Sequence, residues 1–365
     1  MDRGRAPAIA NCRARFHRSS GDRNGIFPRE RHTVCLCESG DETAVLMTAN
    51  KMRGSVPSIS VVIVSDYAAG EDGGWTDIRK TLAALAVQDL QEPAEFILCE
   101  AEEFRGRLPA DFTEIIPDLK IMFAPGRASY DLKNAAVQAA SSDLVAMLDA
   151  DCVPRADWLR RLLDSLRAHP EAAAVSGRTT YGGESLGIRI SSLLSRAYSN
   201  PGGDGPTTRP VSDNNAGYQR SAYLAHPLPA NMGGFAAHVQ SHELLREGYV
   251  LWFDSEIRVV HDFEGWPMEK DVRRHRGHSA VRTRLLDRSL PYSWLVRLGR
   301  IGIVPLLAGK ILNSWWDCIR CGRAYGIRWY EVPVVMMASV GLNLLEVPGM
   351  LAAFRMGEFG KTCFR

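Results

Sequence analysis

The sequence is short of cysteine, of net charge and of uninterrupted apolar runs. Eight cysteines in 365 residues are too few for a disulfide scaffold, so the fold must rest on a hydrophobic core and a reduced compartment is expected. Lys and Arg number 44 against 42 Asp and Glu, a formal charge of +2; no nucleic-acid partner is expected at that balance. No long apolar stretch follows the first arginines, which argues against a secretory signal. No Gly-x-Gly-x-x-Gly follows the first apolar run and no Gly-x-x-x-x-Gly-Lys-Ser/Thr occurs, so a dinucleotide cofactor and a P-loop are disfavoured. A hydrophobic share of 45% with 24% charged residues excludes wholesale disorder.

The near-neutral total hides an asymmetry. Residues 1–54 carry +4 and residues 273–365 carry +10, leaving −12 between them. The first 54 residues are Arg-rich, broken by Gly and Pro, and lack a sustained period of 3.6 or 2, so a poorly ordered basic extension is expected there. Cys12, His17, His32, Cys35 and Cys37 fit no common zinc spacing.

Order is expected from Ile59. Ile59–Val64 (ISVVIV) is a β-branched run suited to a strand buried on both faces. A helical pattern with Ile78, Leu82 and Leu85 on one side follows, then strand-like Glu95–Cys99, Leu119–Phe123 and Leu144–Leu148, with an alanine-rich helix over Leu132–Ala140. Strands alternating with helices predict an α/β protein with a mostly parallel, doubly wound sheet. Ligands in such sheets sit beyond the carboxyl ends of the strands.

Those ends carry acids. The fourth strand ends in Asp149-Ala150-Asp151, and residues i and i+2 of an extended chain point to one side. Two such carboxylates suit Mg²⁺ or Mn²⁺ with phosphate oxygens, and equally suit a solvated acidic turn. Asp66 and Tyr67 end the first strand and Glu100 the second, where a ribose or base can be held. Acids at three strand ends favour a nucleotide-diphosphate pocket.

In order and spacing, Ile59–Tyr67, Leu132-Lys133-Asn134-Ala135-Ala136, Leu148-Asp149-Ala150-Asp151, Val175-Ser176-Gly177-Arg178, Asp213–Ala222 and Val259-Val260-His261 resemble family 2 glycosyltransferases of GT-A fold, over about residues 55–280. The resemblance implies an inverting hexosyltransferase-type enzyme moving a sugar from a UDP-, GDP- or dTDP-sugar to a hydroxyl acceptor. It implies a Mg²⁺ or Mn²⁺ site at Asp149, Asp151 and His261. It implies donor contacts from Asp66, Tyr67, Glu100, Lys133, Asn134 and Asp149, and an acceptor side at Asp213, Asn214, Asn215 and Arg276. A metal would neutralise the leaving diphosphate, and a carboxylate or imidazole would take the acceptor's proton.

The chain departs from the family twice. Where the family places Glu-Asp after a Gly-rich turn, this sequence reads Gly233-Gly234-Phe235-Ala236-Ala237-His238-Val239-Gln240-Ser241-His242-Glu243. Glu243 is the nearest carboxylate and is the expected base, with His242 beside it. No Gln-x-x-Arg-Trp follows; Arg273-Arg274-His275-Arg276-Gly277 stands in that region, which points to single addition rather than polymerisation.

Residues 281–365 read as a helical, basic and apolar tail. Val332–Phe354 is 23 residues long with Asn343 and Glu346 its strongly polar members, and Trp294, Trp315, Trp316, Trp329 and Tyr330 flank the apolar stretches. Length and aromatics suit a bilayer, spanned or lain upon, and the arginines an anionic leaflet. A tail at the cytoplasmic face of the cell membrane, serving a lipid-linked or cell-envelope glycan acceptor, is the expectation. Cys318-x-x-Cys321 has no second pair and reads as incidental.

Overall fold

The computed structural model describes residues 56–65, 75–126, 128–263 and 265–355. Asp66, Tyr67 and the basic extension lie outside these residues.

Among the described residues nine strands form one sheet: β1 (Ile59–Val64), β2 (Ala94–Ala101), β3 (Lys120–Ala124), β4 (Leu144–Asp149), β5 (Cys152–Pro154), β6 (Ala172–Tyr181), β7 (Gly205–Thr207), β8 (Asn215–Gln219) and β9 (Val250–His261). Their order is β3-β2-β1-β4-β8-β6-β9-β5, with β7 paired to β9. The first four strands are parallel, as their alternation with helices requires. Antiparallel pairing enters at β8, which runs against both β4 and β6, so the sheet is parallel in one half and mixed in the other. All six residues of β1 are buried, as a doubly covered β-branched run should be.

Three helices set the strand ends in place: α1 (Thr76–Ala86), α2 (Ser129–Ala139) and α3 (Trp158–Ala168). The apolar side of α1 buries Ile78, Leu82 and Leu85. Between them Thr81 sends its hydroxyl toward the carbonyls of Ala150 (2.8 Å) and Cys152 (2.9 Å), pinning the turn that holds Asp151. Gln88 bridges the Arg155 carbonyl and the Leu159 amide, satisfying one of the donors exposed at the start of α3.

Further helices include α4 (Leu186–Arg196), α5 (Ala236–Arg246), α6 (Trp266–Leu286), α7 (Ile303–Cys321), α8 (Val332–Leu344) and α9 (Val347–Ala352). The boundary expected at 280/281 falls inside α6. The C-terminal helices pack on that helix through two glycines. A Cβ on Gly277 would stand 2.1 Å from the Glu346 carbonyl oxygen, and one on Gly349 would stand 1.8 Å from that of Arg274. No side chain fits between the two helices at either place. Cys318 and Cys321 are free buried thiols in a small core with Ile190, Leu193 and Tyr325.

Candidate functional site

The pairing of β8 with β4 brings the site together. Leu148 stands opposite Asn215, so the next residues outward, Asp149 on one strand and Asn214 and Asp213 before the other, meet at the same edge. They line a cavity of about 330 Å³ with Lys133 of α2, Arg196 at the end of α4 and Tyr198 just beyond it, Phe235–His238 at the start of α5, His261 at the end of β9, and His275 and Arg276 of α6.

The two acids of Asp149-Ala150-Asp151 have different partners. Beyond Asp149 the strand gives way to a turn, so the alternation of an extended chain no longer applies. Asp149 faces Lys133, whose Nζ lies 2.7 Å from Oδ1 and 3.0 Å from Asp213 Oδ2. That ammonium is buried and doubly paired, as a charge taken out of water must be.

Asp151 turns instead to His261, Oδ2 to Nε2 at 3.1 Å, both buried. His261 Nδ1 lies 2.7 Å from the Asp262 carbonyl oxygen, so Nδ1 carries the proton and donates it. Burial pushes the imidazole well below its ordinary value, with Arg196 adding to the effect. The ring is therefore neutral, and its Nε2 lone pair faces Asp151. Burial raises the Asp151 carboxyl to about 6, against the lowering pull of Arg196.

Two lone pairs at 3.1 Å need a proton or a cation between them. Asp151, His261 and the Cys152 thiol have ligand atoms within 4.8 Å of one another. Burial pushes the Cys152 thiol far up, and the neighbouring acids add to it. A protonated thiol is no ligand for a hard ion, so a carboxylate and an imidazole fixed by its other nitrogen are the usable donors, a set that fits a divalent cation.

Several expected site residues serve the fold. Asn215 accepts from Trp158 Nε1 (2.8 Å) and donates to the Ile257 carbonyl (3.2 Å) at zero exposure, so it ties strands together and does not reach the cavity. Asn134 spends both ends of its amide on Leu228 and Tyr223 and is likewise absent from the cavity wall. Glu100 is buried at the end of β2, outside the cavity lining. Asn214 does line it, its Oδ1 accepting from Ser212 (2.7 Å).

The expected base is not brought in. Only the start of α5, Ala236 to His238, borders the cavity; His242 and Glu243 lie one turn and more beyond it, and α5 turns neither of them to the cavity. Where a carboxylate was sought, the first turn offers Ala236, Ala237 and the imidazole of His238. That ring is stacked between Tyr198 (4.8 Å) and Phe235 (4.6 Å) and is pushed down to about 3 by burial, with Arg276 contributing. It is a neutral ring. Among the described residues, Asp149 and Asp213 are the carboxylates lining the cavity, and Asp213 is the more open, at 26% side-chain exposure against 9%. Of the arginine run, Arg273 is buried against Glu269 and Ser195 while Arg276 faces the cavity. Arg196, Tyr198 and His238 gave no motif signal; only the chain's folding gathers them.

A parallel sheet that turns antiparallel at β8, with a cavity at its strand ends, is the GT-A class of fold. Residues 62–226 match the family described as glycosyl transferase family 2, and the chain resembles that family over this span. Among solved structures, the mannosyltransferase PcManGT from Pyrobaculum calidifontis, in complex with GDP-Man and Mn²⁺, superposes with a TM-score of 0.53 at 15% identity, covering 84% of this chain and 89% of that one. GalNAc-T7 with UDP, GalNAc and Mn²⁺ covers 58% of this chain and 44% of its own at 16% identity; its TM-score of 0.44 is too low to bear on the fold. A curated relative, the protein pelota homolog of Hyperthermus butylicus (strain DSM 5456 / JCM 9403 / PLM1-5), is 27% identical over 175 residues. That match spans 45% of this chain and 44% of the relative, less than half the length of either.

Proposed function

We propose that the chain transfers a hexosyl group, with inversion, from a nucleoside-diphosphate sugar to a hydroxyl of a lipid-linked or cell-envelope glycan, at the cytoplasmic face of the membrane. The observation that carries this reading is one cavity in a GT-A fold where Lys133, Arg196 and Arg276 meet beside the Asp151–His261 pair. Three cations over two lining carboxylates suit a diphosphate.

Asp151 and His261 would hold the divalent ion, Mg²⁺ or Mn²⁺, which when bound neutralises charge on the leaving diphosphate. Lys133 holds Asp149 and Asp213 in place and contributes positive charge at the same spot. Arg196 and Arg276 bind and orient the phosphates. Asp213, open to the cavity, accepts the proton of the attacking hydroxyl. Phe235, His238 and Tyr198 form an aromatic wall that keeps water from the sugar.

The bare start of α5, with alanines at 236 and 237, favours a second reading: a GT-A-like protein that binds a nucleotide sugar without transferring it. A thermal-shift titration against UDP-, GDP- and dTDP-sugars, each with Mn²⁺ and with EDTA, tests both. A shift that needs the metal supports the donor site; no shift with any donor removes it. Release of nucleoside diphosphate in the presence of acceptor then separates transferase from binder.

A further inference from the structure

The C-terminal helices bury apolar residues in two small clusters but leave many others exposed. A helix on a soluble protein hides its apolar stripe and shows its polar one. On α7 the outward residues are Val304, Leu312, Trp316 and Ile319, between 57 and 70% exposed; on α8 they are Val334, Met337 and Leu344, between 50 and 78% exposed. Several polar groups are turned instead to contacts between the helices. Trp315 Nε1 lies 3.0 Å from Ser339 Oγ, Asn343 Nδ2 reaches Ser314 Oγ at 3.2 Å, and Lys310 Nζ lies 2.7 Å from Glu346.

Trp294, Trp329, Tyr330 and Tyr292, which flank these helices in sequence, are all more than half exposed. Exposed Arg297, Arg300, Arg323 and Arg328 lie among them in sequence. Amphipathic aromatics and arginines beside an exposed apolar face match the depth profile of a headgroup layer.

We propose that α7 and α8 lie half-immersed in a single leaflet of an anionic membrane, and that residues 329–352 do not cross it. By length and composition that stretch is long enough to span, but its chemistry ties it to the protein. Helix α8 ends at Leu344 and α9 begins at Val347. Between them Glu346, 1% exposed, pairs with Lys310 and faces Arg273 at 3.6 Å. Drawing the stretch into a bilayer would carry Glu346 into hydrocarbon and take a counter-ion from the buried Arg273, both costly.

The inference deepens the membrane placement proposed above. Its test uses no sugar donor, so its result is independent of the transferase reading. Full-length protein is sedimented with phosphatidylcholine vesicles and with vesicles containing 30% phosphatidylglycerol. Binding to the anionic vesicles that weakens with salt is expected. The Trp316→Glu/Ile319→Glu variant, altered only at exposed positions and so still folded by its melting curve, should bind at least about tenfold more weakly. Met337→Trp, near the middle of the stretch, should be quenched most by lipids brominated close to the headgroup. Absence of vesicle binding overturns both the placement and the half-immersed platform. Quenching greatest at the chain ends overturns the platform alone, in favour of a span. A soluble dimer that Trp316→Glu dissolves, with no lipid binding, assigns the face to a second copy of this chain and overturns the proposal as well.

Discussion

Asp151 and His261 face one another with more lone pairs than a dry site tolerates, because His261 has already committed its proton to the Asp262 carbonyl. Asp151→Asn puts an amide donor against that nitrogen. Its melting temperature in EDTA should therefore match or exceed that of the parent, while the Mn²⁺-dependent stabilisation by donor disappears; a persisting metal-dependent shift would sink the assignment. The base is tested by a contrast. Asp213→Asn should lower transfer by about 10²-fold or more with donor binding retained, and Glu243→Gln should turn over normally; the opposite pattern returns the role to α5. A third residue acts on stability. Glu95, buried beneath the sheet, accepts from Ser60, from Ser141 and from Lys120. Burial alone would raise its carboxyl, but these donors outweigh it and hold it at about 2, down from 4.5. A lowered folded value means that the contribution is whole above pH 4.5 and is lost as pH falls toward 2. Glu95→Gln should cost about 1–3 kcal/mol at pH 7 and flatten the acid limb of a urea-melt series.

At the scale of elements, the strands were the most legible part of the chain. Short β-branched runs bounded by turn residues have few alternatives, and β1 through β4 fall within two residues of their expected bounds. The first helix was equally plain, since a 3.6-residue stripe of Ile78, Leu82 and Leu85 buries on one side only. Amide residues were not legible. Asn134, Asn214 and Asn215 look alike in a sequence, yet two are structural ties and one borders the cavity, because which of them faces outward depends on β8 pairing against β4. The glycine contacts of α6 with the C-terminal helices were equally hidden, as they join residues about 70 positions apart. Gly349→Ala would force the two backbones apart and should destabilise by about 1–3 kcal/mol. It should also raise the donor KM, because Arg276 rides on α6; an unchanged melting curve would refute the close approach.

On the scale of the molecule, the tail braces the helix that carries Arg276. Glu346 closes an ion cluster with Lys310 and Arg273, and Arg273 holds Glu269 and Ser195 beside Arg196. Truncation after residue 289 should therefore yield aggregated protein rather than a soluble catalytic domain, as judged by expression and size exclusion; a folded monomer from that truncation would show the tail to be separable. By itself the sequence determined the α/β alternation, the acids at the strand ends and the apolar, aromatic character of residues 281–365. These follow from local periodicity and residue type, which short stretches of chain carry within themselves. Only the tertiary structure decided that Asp149 answers to Lys133 and Asp151 to His261. It alone set Arg196, Tyr198 and His238 around the cavity and turned several polar groups of the tail to contacts between its helices. Those are contacts between elements far apart in the chain, and a side chain's partner is fixed by the packing of elements rather than by its neighbours in sequence.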